Sequence, residues 1–157
     1  MVDSRAARLA IRLHGAVFRL TGGRVGGRFG HLEQVLLTTT GRTTGSPRTT
    51  PLAVTVVGDR LVLIASDGGA PQDPGWYRNL VAHPDVRLQR GAVSRPMRAR
   101  TAVDDERAEL WGAAVANNPG YASYQRKTDR QIPVVVCDPR PGPAPLGAGR
   151  AAGPRRS

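Results

Sequence analysis

Residues 35–51 read VLLTTTGRTTGSPRTTP: an apolar run passes into a loop of glycine, hydroxyls and two arginines, and a second strand leaves at Arg48. Such a loop suits an anionic ligand, because backbone N–H groups, Ser/Thr hydroxyls and guanidinium forks all donate hydrogen bonds to phosphate oxygens. It is not a Walker A sequence, since its two glycines are too close and no Lys follows the second. The other Gly-rich stretch, GGRVGGRFG at 22–30, has neither a preceding strand nor GxGxxG spacing, so it is read as a flexible linker and not a dinucleotide loop.

Outward from this loop the pattern is one of short β-rich runs, at 35–40, 49–57, 60–66, 86–90 and 97–103, followed by the apolar run IPVVVC at 132–137. Gly58 and Asp59 form a two-residue turn between the second and third runs. Close spacing of that kind implies antiparallel hairpins, and a compact antiparallel sheet of few residues closes into a small barrel to remove its edges. Two helices interrupt the strands. PGWYRNLVA at 74–82 starts on Pro74 and ends at His83 and Pro84. The second covers 104–118: Asp104, Asp105 and Glu106 favour its positive end, Leu110, Ala113, Ala114 and Asn117 share a face, and Pro119 with Gly120 stops it. The expected class is α+β, mainly β: a barrel of about six antiparallel strands with two or three flanking helices.

The ends differ from this centre. Residues 3–20 predict a helix, with Ser4 as cap and Leu9, Leu13, Val17 and Leu20 at helical spacing beside a face holding Arg5, Arg8, Arg12 and Arg19. That helix suits either peripheral contact with an anionic membrane surface or packing on its own domain. Beyond residue 138 the chain is Pro, Gly, Ala and Arg with almost nothing to bury, which predicts disorder. Three parts follow: a basic N-terminal helix and linker over 1–30, a barrel domain over 31–138, and a tail over 139–157.

Charge weakens a nucleic-acid role. Residues 1–30 hold six Arg against Asp3 and residues 139–157 hold four Arg and no acid, so only +2 of the formal +11 falls on the expected barrel. A nucleic-acid face would concentrate the excess on the fold, and aromatics for base stacking amount to only 4%. Cys137 alone allows no intrachain disulfide, and no run approaches the ~18 apolar residues of a membrane span. The expected location is cytoplasmic, at most peripheral on the inner face of the membrane.

Catalytic side chains are scarce. His14, His31 and His83 lack a second ligand at metal spacing, and Ser66 in IASDGG lacks the glycine of a nucleophile elbow. A binding site without obvious catalytic groups is what a bound cofactor that carries the reaction would leave to the protein.

Three motifs in order, LLTTTGRTTGSPRTTPL at 36–52, LIASDGGAPQDPGWYRNLVAHPDV at 63–86 and PGYASYQRKTDRQIPVVVCDP at 119–139, with DDERAELW at 104–111 between them, resemble the deazaflavin-dependent nitroreductase family of actinobacteria. The resemblance covers roughly residues 34–139. It implies a split β-barrel of the FMN-binding type that holds coenzyme F420 and passes hydride from the coenzyme's carbon five to a quinone or nitro compound. Arg42, Thr43, Thr44, Gly45, Ser46, Pro47 and Arg48 would hold the phosphate end. Ile64, Ala65, Ser66, Asp67, Gly75, Trp76, Tyr77, Arg78 and Asn79 would line the deazaflavin. Tyr121 and Tyr124, three apart on a helical turn, would face the acceptor, where a phenol can donate a proton to a reduced oxygen; Ser66 is a weaker candidate for that role.

Relatives commonly carry Lys where this chain has Thr43 and Asp67, which predicts weaker attraction for the coenzyme's polyanionic tail. Ala53 and Asn118 stand where the nitroimidazole-reducing member presents tyrosines, which argues against nitro-drug activation. An FMN-binding split-barrel reductase is the alternative enzyme, because FMN also joins a phosphate to a planar tricycle. A non-catalytic module whose basic ends contact membrane or nucleic acid is the alternative from another class. Oligomeric state is left open by the sequence.

Overall fold

The structure, a computed structural model, describes residues 28–29 and 31–140. The helix expected over 3–20 and the tail from residue 141 onward lie outside the described residues. Eight strands are present among the described residues: β1 (Arg28–Phe29), β2 (Leu32–Thr40), β3 (Pro47–Ala53), β4 (Thr55–Val57), β5 (Arg60–Ile64), β6 (Asp85–Arg90), β7 (Val93–Thr101) and β8 (Val134–Pro139). Three α-helices accompany them: α1 (Gly75–Ala82), α2 (Asp104–Asn117) and α3 (Gly120–Gln125). All pairings are antiparallel, in the order β1-β2-β6-β7-β8-β5-β4, with β3 on the other edge of β2.

In a flat sheet three strands would separate β2 from β5, or roughly 19 Å at the usual strand spacing. Instead Val35 and Leu37 of β2 share one core with Leu63 of β5, together with Val86, Leu88, Met97, Ala99, Val135 and Cys137. The sheet is therefore coiled into a split barrel, and α1 adds Trp76 and Leu80 to its interior. The outer faces of β5 and β8 are covered as well. Val62, Ile64, Val134 and Val136 pack with Leu110 and Ala114 of α2. This two-sided burial is why LVLI and VVVC are continuous apolar runs, whereas β6 and the second half of β7 alternate and β2 buries Val35, Leu36 and Leu37 in succession. Leu63→Ala is expected to lower the unfolding free energy by about 2–5 kcal/mol in urea denaturation, because Leu63 is fully buried where neighbours on both sides resist collapse.

Several boundaries differ from expectation, and prolines explain most of them. β3 begins at Pro47 and contains Pro51, which is tolerated because β3 pairs only with β2. β7 begins four residues before Met97 despite Pro96: the Pro96 carbonyl accepts from Arg140 N at 3.4 Å, so its missing N–H also faces the β8 side, where β8 pairs no further than Met97. The expected strand over 49–57 is two strands, broken at Val54, whose N–H turns to the Glu33 carbonyl at 2.9 Å. Pairing already begins at Arg28–Phe29, inside the stretch read as linker, and β8 ends at Pro139, one residue into the stretch read as tail. Cys137 is a buried core side chain; burial, helped by the Asp138 charge, pushes its thiol up to about 12.

Candidate functional site

Loop 41–46 joins β2 to β3 and is built by its glycines. Gly41 N–H donates to the Ser46 carbonyl at 2.8 Å and Gly45 N–H to the Gly41 carbonyl at 2.7 Å. Gly45 takes a positive φ of 70°, and a side chain at Gly41 would meet Thr44 Oγ1 at 2.8 Å. The Thr44 hydroxyl also accepts from Ser46 N–H at 3.3 Å. The loop thus keeps its shape internally while Arg42, Thr43, Ser46, Pro47 and Arg48 stay exposed.

Asn79 ties that loop to α1. Its Oδ1 accepts from Arg42 N–H at 3.2 Å and from the Arg42 guanidinium at 3.1 Å, and its Nδ2 donates to Thr39 Oγ1 at 3.2 Å. Asn79 is itself buried. Arg48 is bound differently: among the described residues no ion pair holds its guanidinium, and it shares a face of β3 with Thr50.

Beside this loop lies a cavity of about 310 Å³, at the small end of the ~300–1,000 Å³ range of small-molecule sites. Ile64, Ser66, Asp67, Trp76 and Tyr121 line it, together with Thr50, Pro51, Leu52, Ala53 and Pro74. Asp67, Gly68 and Gly69 take successive positive φ values of 44°, 64° and 86°. Gly69 is forced: a Cβ there would lie 2.6 Å from the Tyr124 carbonyl, because α3 packs directly on this turn. Burial raises the Tyr121 phenol above its ordinary value, with an Asn118 hydrogen bond opposing and the Tyr124 neighbour reinforcing the shift. The two rings meet edge to face, with centroids 6.4 Å apart.

The structure does not gather every residue that the resemblance assigns to a ring site. Ala65 is fully buried in the barrel core. Asn79 faces the arginine loop, while Gly75 and Arg78 are exposed. Tyr77 turns away, donating to or accepting from Thr101 Oγ1 at 2.9 Å, and lines a separate groove of about 640 Å³ with Asp73, Asp104 and Arg107. Tyr124 is absent from the cavity lining and instead carries Lys127 Nζ 5.4 Å above its ring. Thr50, Pro51, Leu52 and Pro74 were missed. The first three lie on β3, which is half-buried from Thr49 to Ala53, a placement that the sequence alone does not mark.

The site's chemistry is of two kinds: exposed guanidiniums and hydroxyls at the loop, and indole, aliphatic and phenol groups at the cavity. An anion at the first and a planar ring at the second fit these donors and walls. Comparison with known proteins agrees in kind. The profile of the F420H(2)-dependent quinone reductase family matches residues 10–139. An F420H(2)-dependent quinone reductase of Mycobacterium tuberculosis is 43% identical over 133 residues, covering 80% of this chain and 87% of that protein. A solved F420-H2 dependent reductase superposes with a TM-score of 0.63 at 42% identity, covering 67% of this chain and 93% of that one. A second solved relative, described as a domain-swapped dimer, gives a TM-score of 0.65 at 34% identity and covers 86% of this chain and all of that one, at 100%. The chain belongs to the F420H(2)-dependent quinone reductase family.

Proposed function

We propose that the protein is an F420H2-dependent reductase that delivers hydride to a quinone. The observation that carries this is that α1 joins an exposed arginine loop, through Asn79, to an aromatic-walled cavity, through Trp76, an arrangement that suits a coenzyme with a phosphate and a planar ring. Arg42 and Arg48, with Thr43, Thr44, Ser46 and the backbone of Gly45 and Pro47, hold the phosphate end. Ile64, Ser66, Asp67 and Trp76 hold the ring, with the backbones of Ala65 and Gly75 beside them; Asn79 holds the arginine loop against α1, and Tyr77 and Arg78 stand outside this cavity.

When bound, reduced F420 supplies the hydride. The chain's own residues bind, orient and shield. Trp76 contributes its indole to the cavity wall, and Leu52 and Ile64 exclude water beside it. Tyr121 keeps its proton through neutral pH, because burial disfavours the phenolate, and so stands ready to donate it to the oxygen of a quinone being reduced. Ser66, buried in the same lining, is the second hydroxyl-bearing residue assigned to that proton transfer. Tyr124 braces Tyr121 through the edge-to-face contact.

Titrating the purified chain with reduced F420 by fluorescence should give saturable binding, and a small soluble quinone should then oxidise the coenzyme only in the presence of protein. Absence of saturation would overturn the proposal; tight FMN binding with no F420 binding would replace it with the flavin alternative. Among the described residues no helix is long and apolar enough to cross a membrane. Peripheral contact through residues 3–20 and a cytoplasmic location belong to the same proposal, and removal of residues 1–27 should then abolish liposome binding. Nitro compounds are expected to be poorer acceptors than quinones, since Ala53 contributes only a methyl group to the cavity.

A further inference from the structure

Arg130 is not part of the cavity, yet its guanidinium reaches across to the segment that forms one wall of it. Nε donates to the Ala70 carbonyl at 2.8 Å. One terminal nitrogen donates to the Ala65 carbonyl at 3.1 Å and to the Asp73 carboxylate at 2.8 Å, and the other donates to the Ser66 carbonyl at 2.9 Å. All three nitrogens are used, all acceptors lie within 65–73, and the side chain is only 15% exposed.

That segment holds its shape weakly by itself. Its backbone bonds internal to the turn are Gly69 N–H to Ser66 at 2.9 Å and Ala70 N–H to Asp67 at 3.1 Å, while Asp67 occupies the left-handed region that a non-glycine residue disfavours. Arg130 is in turn fixed by Gln125, the last residue of α3. The Gln125 amide donates to the Arg130 carbonyl at 2.8 Å, and its Oε1 accepts from Ile132 N–H at 2.9 Å. Gln125 holds the Arg130 backbone and the Arg130 guanidinium holds the turn, so the helix that carries Tyr121 is linked through this one residue to the turn that carries Ser66 and Asp67.

We propose that Arg130 is a positioning residue: it fixes Ser66 and Asp67 opposite Tyr121, so that its loss displaces the cavity wall while the barrel stays folded. As a statement about ligand binding this rests on the cavity being the coenzyme's ring site. A point charge does not suffice. Asp73 needs only a cation, but the three carbonyls need a planar fork, which Lys cannot supply.

The test uses the full-length chain with Arg130→Lys, Arg130→Ala and Asp73→Asn. In ligand-free protein, amide exchange over 65–73 should quicken by about tenfold or more in Arg130→Lys, with the amides of β2 and β8 unchanged. With reduced F420 and a soluble quinone, Arg130→Lys should lower kcat by about tenfold or more, and millimolar guanidinium ion should restore part of the loss in Arg130→Ala. Asp73→Asn keeps the three carbonyl contacts and should show a much smaller effect. Unchanged exchange over 65–73 would overturn the inference, and so would faster exchange with parental Kd and kcat, which would make Arg130 merely structural. If Arg130→Ala does not fold, Arg130→Lys decides. If the parent does not bind F420, the proposed function fails, whereas the exchange measurement still judges the positioning role.

Discussion

Tyr121→Phe is expected to leave binding of reduced F420 within about threefold of the parent while lowering turnover with a quinone by about 10²-fold, the low end of what a positioned general acid contributes. The substitution removes one oxygen from a buried ring and keeps that ring in the cluster with Ile64 and against Tyr124. Burial raises the phenol, so the protonated donor is the form present at neutral pH. The sign follows: parental turnover should be flat through neutral pH and fall only as pH rises past the ordinary phenol range near 10, and that alkaline limb should vanish in the variant. Steady-state rates over that pH range decide it. A variant that turns over like the parent would leave Tyr121 as a wall.

Arg48→Ala is expected to weaken coenzyme binding by about 1–3 kcal/mol, or roughly 5- to 150-fold, with the fold intact. The side chain is exposed and in no ion pair among the described residues, so its removal leaves no buried partner unsatisfied and the loss measures the ligand contact directly. Arg42 cannot be interpreted so simply. Its guanidinium also bonds Asn79, so Arg42→Ala both removes charge and slackens the loop. Fluorescence titration at two salt concentrations separates these effects, because the Arg48 contribution should shrink as salt rises while the loop's own geometry should not. Equal affinity of Arg48→Ala and the parent would remove Arg48 from the phosphate site.

Much of the fold could be read from the residues alone. Period-two alternation in β6, and apolar continuity in β5 and β8, are local imprints of where each strand sits. Strand bounds around Pro47, Pro96 and Pro139 were less legible, since a proline ends a strand, as at Pro139, or is tolerated inside one, as Pro96 is in β7, according to whether a neighbour needs its N–H, and that depends on the sheet's outline. The arginine loop was visible because its glycines and hydroxyls are contiguous. The cavity was only partly visible. Trp76, Ser66, Tyr121, Leu52 and Pro74 all stand within the motifs, but that Leu52 and Pro74 meet at one cavity depends on how distant segments come together, which no local pattern carries. Arg130 was passed over for a related reason: a cationic residue in a polar stretch looks solvated until the carbonyls it meets, some 60 residues earlier in the chain, are in view.

Trp76 and Asn79 are one turn apart on α1, so the same rigid helix ends the ring cavity on one side and anchors the arginine loop on the other. The separation of the two half-sites is thereby fixed like the gauge of a track. A ligand whose arm matches that gauge engages both ends at once and gains the large effective concentration of a preorganised bivalent contact, while a ring without its phosphate, or with an arm of another length, falls back to the affinity of one half-site. Comparing the intact coenzyme with its phosphate-free ring fragment would show this directly: similar affinities for the two would mean that α1 sets no gauge.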